Sequence, residues 1–431
     1  MTRLREALLW VLAGALPFAA AEVGLRLAGW RPASDWYFHG LADEGPPLVA
    51  RGDWLEVAPP WRTIFRAEPF PIRRAPGEVR LVVLGDSVAW GHRSNEDPEP
   101  LRAWPDALQD LLRQRPGGAS DRVVNLAART WASLRVSRLL PQVLDLDPDA
   151  VVASFGSSEF LEEVTRRGWE ARKARRPLWF WRLRVVEALE ALVARLRGQV
   201  PVGLSTPALR ERDDTLSAGY LRDQAAALDP GEAARRVAEA QARAAAMASL
   251  CQARGIPLVL LTVPSNLRWP PEASRHADPA ARQEADEAVR EGGRLLEAGE
   301  VQQALDLLTP MVARHPEVAA LRFRLAQALD RAGRVAEARD QYESARDQSA
   351  FPLRAIGAFN QGLRQVAAAF PGVVLVDVEA LARSWVPDGI PDDRLFLDQN
   401  HLTEAAHQRV AEAVLEALVA RGIVKTTGGS P

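Results

Sequence analysis

The chain has 431 residues, 47% of them hydrophobic and 26% charged, with a formal net charge of −2. That is ordinary globular material for two or three structural units, and the near-neutral balance argues against nucleic acid as a partner. The single cysteine, Cys251, excludes an internal disulfide and a cysteine metal cluster, and reads as a core residue.

Arg3 and Arg5 precede an uncharged run from Ala7 to Ala21, after which come Glu22 and Arg26. Two readings compete. Ala19-Ala20-Ala21 fits a signal-peptide cleavage site, which would make the protein secreted. Alternatively, Ala7 to Leu25 forms one helix about 28 Å long, enough to span a bilayer. We expect the second: a signal anchor within residues 1–28, touching the membrane through residues 7–25. The bulk of the chain is then exported to the periplasmic or extracellular face of the cell inner membrane. A helix buried in the core is the bland alternative. Residues 29–75 are rich in Pro, Trp and Arg without a clear period and read as a wrapped extension.

From Val79 an α/β alternation becomes legible. Strands are expected at Leu81–Leu84, Arg122–Leu126, Ala150–Phe155, Ile256–Val263 and Val373–Val378. Helices are expected near Leu101–Gln114, Ser133–Leu144, from about Gly231, at Leu353–Ala369 and from Thr403 onward. The apolar, β-branched strands suit burial on both faces, and the alternation implies right-handed crossovers and a parallel sheet. Five strands suit a flavodoxin-like three-layer α/β/α sandwich, built from residues 76–284 and 351–425.

Two insertions interrupt it. Residues 160–230 hold Arg166-Arg167-Gly168-Trp169 and Arg175 to Trp181, followed by an amphipathic segment from Leu183 to Leu196. This is either a helical subdomain or a helix lying at a membrane interface. In residues 285–350, Gly299, Val301 and Ala304 recur 34 positions later as Gly333, Val335 and Ala338. That is the tetratricopeptide period, which predicts two helix pairs that either bind a protein partner or act as a spacer. Both insertions leave beyond carboxyl ends of strands, the edge where open α/β sheets bind ligands. Asn266 and Arg268 fall at the same edge, as substrate contacts or loop stabilisers.

The chemistry-bearing residues lie at the two ends of this pattern. Gly85-Asp86-Ser87 places a hydroxyl just past the first buried strand. A serine needs a base, and the base needs an orienting partner. Asp398-Gln399-Asn400-His401, leading into a capped helix, can supply both. The remaining histidines lack metal-ligand spacing and read as structural or surface residues. No phosphate-binding glycine loop is present, and no cofactor or metal is expected.

On these residues the chain resembles the SGNH (GDSL-type) hydrolases, whose first block G-D-S matches Gly85-Asp86-Ser87 and whose last block D-x-x-H matches Asp398 and His401. The resemblance implies a flavodoxin-like fold, an N-terminal anchor and an oxyanion hole. Its second block, N-x-G, falls on Asn125-Leu126-Ala127, so Ala127 replaces the glycine. Its third, G-x-N-[DE], falls on Gly156-Ser157-Ser158-Glu159, so Ser158 replaces the asparagine. The implied donors are the N–H groups of Ser87 and Ala127 with the Ser158 hydroxyl. Losing one such donor can cost roughly 2.7–4 kcal/mol of transition-state stabilisation.

The expected function is an exported serine esterase acting on an ester-bearing substrate, such as an acylated glycan or lipid, with Ser87 as nucleophile, His401 as base and Asp398 as its orienter. Two alternatives stay open: an O-acyltransferase on extracellular polysaccharide, and a weakened hydrolase serving as a binding scaffold through its repeats.

Overall fold

A computed structural model describes residues 16–28, 48–58, 65–93, 100–162, 183–186, 188, 189, 192 and 230–425. The chain divides into two units, residues 1–45 with 163–213, and residues 46–162 with 214–431.

In the first unit, residues 16–27 are helical. Leu16, Phe18, Val23 and Leu27 on this helix are exposed. Glu22 is buried, accepts the Val185 N–H at 2.9 Å and pairs with Arg26 at 2.6 Å. Among the described residues no helix is long and apolar enough to cross a membrane. The first half of the expected anchor, and the Arg166–Trp181 stretch of the first insertion, lie outside the described residues.

The second unit is organised by five strands in the order β5-β4-β6-β7-β8, all parallel. They are β4 (Arg80–Gly85), β5 (Arg122–Asn125), β6 (Ala150–Ser154), β7 (Leu258–Leu261) and β8 (Val373–Val376). Every residue of β4, β6 and β7 is buried, as expected of strands covered by helices on both faces. On one face, Leu81, Val83, Val152, Val259 and Leu261 share a core with Leu108 and Leu112 of α2 (Trp104–Arg113) and Val410, Val414 and Leu418 of α11 (Glu404–Ala420). Elsewhere α4 (Pro230–Ala253) packs on α3 (Ser133–Leu144) and α9 (Gly357–Ala369). The result is the expected flavodoxin-like three-layer sandwich. The next strand, β5, lies on one side of β4 and the one after it, β6, on the other, so the strand order reverses at β4. Open α/β sheets bind ligands outside the carboxyl ends of strands at such a reversal.

The 29–75 extension carries structure that the sequence did not announce. It contains a three-stranded antiparallel sheet, β1 (Leu48–Arg51), β2 (Trp54–Val57) and β3 (Phe70–Pro71). Strands of two to four residues, interrupted by Pro and Trp, carry too little alternation to be read from sequence.

The second insertion forms two helix pairs, α5 (Pro279–Glu297) with α6 (Val301–Arg314) and α7 (Ala319–Arg331) with α8 (Val335–Asp347). Gly299 and Gly333 turn the chain between the helices of each pair in the same left-handed conformation, φ +80° and +74°. Their shared core also takes in Leu267 and Ile390, which lie outside the repeats.

Candidate active site

The nucleophile candidate follows directly from the end of β4. Gly85 is the last strand residue, and a Cβ there would lie 2.6 Å from Ser154 O and 2.8 Å from the Ala89 Cβ. Only glycine lets β4 and β6 approach this closely while the chain turns into α1 (Ser87–Trp90). Asp86 caps that turn by accepting the Val88 N–H at 3.0 Å. Its second oxygen accepts the Ser157 N–H at 3.2 Å, tying the loop after β4 to the loop after β6. Burial pushes the Asp86 carboxyl above its usual range, against these two hydrogen bonds.

Ser87 Oγ lies 3.0 Å from His401 Nε2, and His401 Nδ1 lies 2.6 Å from Asp398 Oδ2. The other oxygen of Asp398 accepts the N–H groups of Asn400 and His401 at 2.9 and 2.8 Å. Burial opposes ionisation of Asp398, but the His401 side chain and these N–H groups outweigh it and hold the carboxyl below its usual range. The loop is fixed by a bridge between Phe396 and Leu402 and by Thr403, which caps α11 by accepting the Ala406 N–H. The sequence candidates Ser87, His401 and Asp398 therefore form one hydrogen-bonded line. Chemically, such a line can activate a hydroxyl and stabilise the imidazolium that forms.

Residues 83–289 match the family described as GDSL-like Lipase/Acylhydrolase, and residues 295–354 match the tetratricopeptide repeat. The chain carries a GDSL-like lipase/acylhydrolase domain and tetratricopeptide repeats. The stretch matched to the GDSL-like family includes Ser87, Ala127 and Ser158 and ends before Asp398 and His401. No curated protein sequence matches the chain. Similar solved structures include a crystal structure of TesA, at 15% identity over 79% of this chain and 97% of that one, TM-score 0.31. Another is Axe2, an acetylxylan esterase from Geobacillus stearothermophilus, at 12% identity over 83% of this chain and 99% of that one, TM-score 0.35. A third is the acetyl xylan esterase AlAXEase, at 12% identity over 79% of this chain and 100% of that one, TM-score 0.34.

Other residues of the GDSL-like domain take places different from those expected. The Ala127 N–H donates to Asn125 Oδ1 at 3.0 Å, closing an Asx turn, while Asn125 Nδ2 donates to Ala89 O at 2.9 Å. Ala127 as an oxyanion donor is corrected accordingly: its hydrogen is already committed. The Ser87 N–H, by contrast, has no acceptor among the described residues. Ser158 is buried in the turn after β6, and its hydroxyl makes no hydrogen bond to a described residue. Of the two roles expected for Asn266 and Arg268, the contacts fit the stabilising one. Asn266 is fully buried and donates to Asp393 Oδ1 at 2.7 Å and to Asp398 O at 3.2 Å. Arg268 is engaged by the carboxylates of Asp330, Asp388 and Asp392. Both side chains serve the protein's own loops, which leaves them no free donor to offer a substrate.

Three further residues of this unit have unusual surroundings. His92 is buried with its ring edge-on to His401, centroids 4.7 Å apart, which restricts imidazole rotation. His407 is buried and accepts the Trp104 N–H at Nδ1. Burial, with the charge of His401 adding, pushes it down to about 3, so it stays neutral. Thr130, in the loop after β5, has φ +62°, a left-handed backbone that costs a β-branched residue about 1–3 kcal/mol. Nothing in the sequence marks it, since the usual signal for that conformation is glycine or asparagine. Among the described residues no group of His, Cys, Asp and Glu is arranged to hold a metal ion.

Proposed function

We propose that this protein is an exported serine esterase, anchored in the cell inner membrane by its N-terminal segment. The observation that carries the reading is the line from Ser87 Oγ through His401 to Asp398, with steps of 3.0 and 2.6 Å. Ser87 Oγ attacks the ester carbonyl while His401 Nε2 takes its proton. The tetrahedral intermediate collapses, and His401 returns the proton to the departing alcohol. Water then attacks the acyl-serine, with His401 taking a proton and handing it to Ser87 as the acid leaves. Asp398 holds the Nδ1–H tautomer and stabilises the imidazolium. The Ser87 N–H and the Ser158 hydroxyl are the donors for the oxyanion. Acylated cell-surface glycan or lipid is the substrate class that an anchored, exported enzyme would meet.

The membrane part rests on Arg3 and Arg5 before an uncharged run, and on the exposed Leu16, Phe18, Val23 and Leu27 of the helix that continues it.

The test combines a fluorophosphonate probe with short p-nitrophenyl esters on the full chain. Labelling and turnover are expected in the wild type and lost in Ser87→Ala. A folded wild type that neither labels nor turns over ester would sink the esterase reading. Fractionation of cells expressing the chain should place it with the membranes, resistant to salt extraction.

A further inference from the structure

Residues 265–270 form a short segment that joins the repeats to the stretch leading into the triad loop. The Asn266 N–H donates to Gln399 O at 3.1 Å, and the Leu267 N–H to Pro391 O at 2.8 Å. The Asn266 side chain reaches Asp398 O and Asp393, as described above. This segment is thus laid along 388–399, the stretch that ends in Asp398. Arg268 extends the seam. Its Nη1 donates to Asp392 Oδ2 at 2.8 Å and its Nη2 to Asp388 Oδ2 at 3.0 Å. Asp392 O in turn accepts the N–H groups of Leu395 and Phe396, which opens the turn leading into the Phe396–Leu402 bridge.

The repeats hold the other side of Arg268. Asp330, near the end of α7, takes Arg268 Nε at 2.8 Å and Nη2 at 3.1 Å, a two-point fork. Arg354, just past the repeats and fully buried, donates to Asn266 O at 2.6 Å, Trp269 O at 3.1 Å and Pro270 O at 3.0 Å. Leu267 and Ile390 are built into the apolar core of the repeats themselves. Packed between the other repeat helices and these loop residues, none of the residues from Ala319 to Asp330 is exposed. A pair of repeats is too short to stand alone, and this pair completes its core with the chain's own loops.

From this we infer that the tetratricopeptide pair acts in cis: it is the brace that positions the Asp398–His401 loop, with Asp330 and Arg268 as positioning residues. The inference deepens the serine-esterase reading and rests on it for its kinetic consequence. Any protein partner of the repeats meets the exposed faces of α5, α6 and α8, because α7 is covered.

The test uses the full chain carrying Asp330→Ala, with Asp330→Glu as the conservative rescue and Leu308→Ala as a control. Leu308 is fully buried in the repeats and takes no part in the ion network. In Asp330→Ala, kcat on p-nitrophenyl acetate should fall about tenfold with KM nearly unchanged, since only the setting of the triad is altered. The acidic limb of the pH profile should move to lower pH, because a displaced Asp398 supports the His401 cation less. Amide exchange over residues 395–403 should accelerate. Asp330→Glu should restore much of each, and Leu308→Ala should lower thermal stability without moving the pH profile. Should Asp330→Ala fail to fold, Arg268→Lys, which keeps the charge and loses the fork, carries the same measurements. Wild-type kcat, pH profile and exchange in a folded Asp330→Ala would overturn the brace. Faster exchange in the variant of a wild type that does not label would uphold the brace and overturn the esterase reading instead.

Discussion

Asp398 holds His401 twice: one carboxylate oxygen meets the ring at Nδ1, 2.6 Å away, and the other accepts the His401 backbone N–H at 2.8 Å. Ring and backbone are therefore registered by the same side chain. An Asp three residues before a His achieves this only when the intervening chain makes a tight turn, which here is closed by the Asn400 N–H on the same oxygen.

Replacing Asp398 by Asn offers the ring an amide in place of a charge. Turnover of p-nitrophenyl acetate should fall by about 10²- to 10⁴-fold, with thermal stability much less affected. Steady-state kinetics beside a circular-dichroism melt separate the two.

Ser158 is the short member of the oxyanion donors in this reading. Ser158→Asn lengthens the donor and should raise kcat, whereas Ser158→Ala should lower it, with one donor worth about 10²–10³ in rate. The decisive measurement is kcat for both variants. Equal rates in all three proteins would remove Ser158 from the oxyanion hole.

Gly85→Ala inserts a methyl group 2.6 Å from the Ser154 carbonyl oxygen, a backbone atom of the neighbouring central strand. Neither β4 nor β6 can yield without disturbing the sheet. Stability should drop by at least about 1–3 kcal/mol, read from urea unfolding, and fluorophosphonate labelling of Ser87 should slow because the serine moves with the strand end.

Glu159 gives the chain a pH dependence near neutrality. Burial, and then the charge of Glu162, raise its carboxyl to about 7 from 4.5, against hydrogen bonds from the Ser133 N–H and hydroxyl. The folded state therefore keeps a proton that the unfolded chain releases. Its contribution to stability is full below about 4.5, declines as pH rises, and is gone above about 7. The slope is roughly 1.4 kcal/mol per pH unit at most. Glu159→Gln should flatten the fall in unfolding free energy across that window.

Arg80 and Glu78 are both buried and paired at 3.0 Å, and Arg80 also donates to Pro71 O at 3.0 Å from the foot of β4. Arg80→Ala leaves Glu78 as an uncompensated buried charge and should cost about 3–5 kcal/mol by urea unfolding. Arg80→Met combined with Glu78→Gln should cost less than Arg80→Ala alone.

Much of this arrangement was legible in the residues. Leu81 to Leu84 announces a strand buried on both faces, and Gly85-Asp86-Ser87 sits at its end because only a small residue fits there. Asp398 and His401 could be paired because their spacing and the Thr403 cap are local features. What failed depended on distant partners. Asn266 lies at the expected sheet edge, but Asp393 and Asp398, more than a hundred residues away, take both hydrogens of its amide. The commitment of Ala127 did have a local signal, since an asparagine two positions earlier favours an Asx turn. Arg80 reads as the polar start of a strand, and only the folded contact with Glu78 and Pro71 shows that it is interior.

The five-stranded order has a consequence for biosynthesis. β4, β5 and β6 are made early, whereas β8, Asp398 and His401 follow only after the repeats. A nascent chain therefore carries Ser87 for most of its synthesis before Asp398 and His401 are made. The line from Ser87 to Asp398 closes only when the last tenth of the chain has docked at the carboxyl end of β4. Under the esterase reading, truncation anywhere in between leaves Ser87 without His401 and Asp398, so incomplete molecules should not turn over ester.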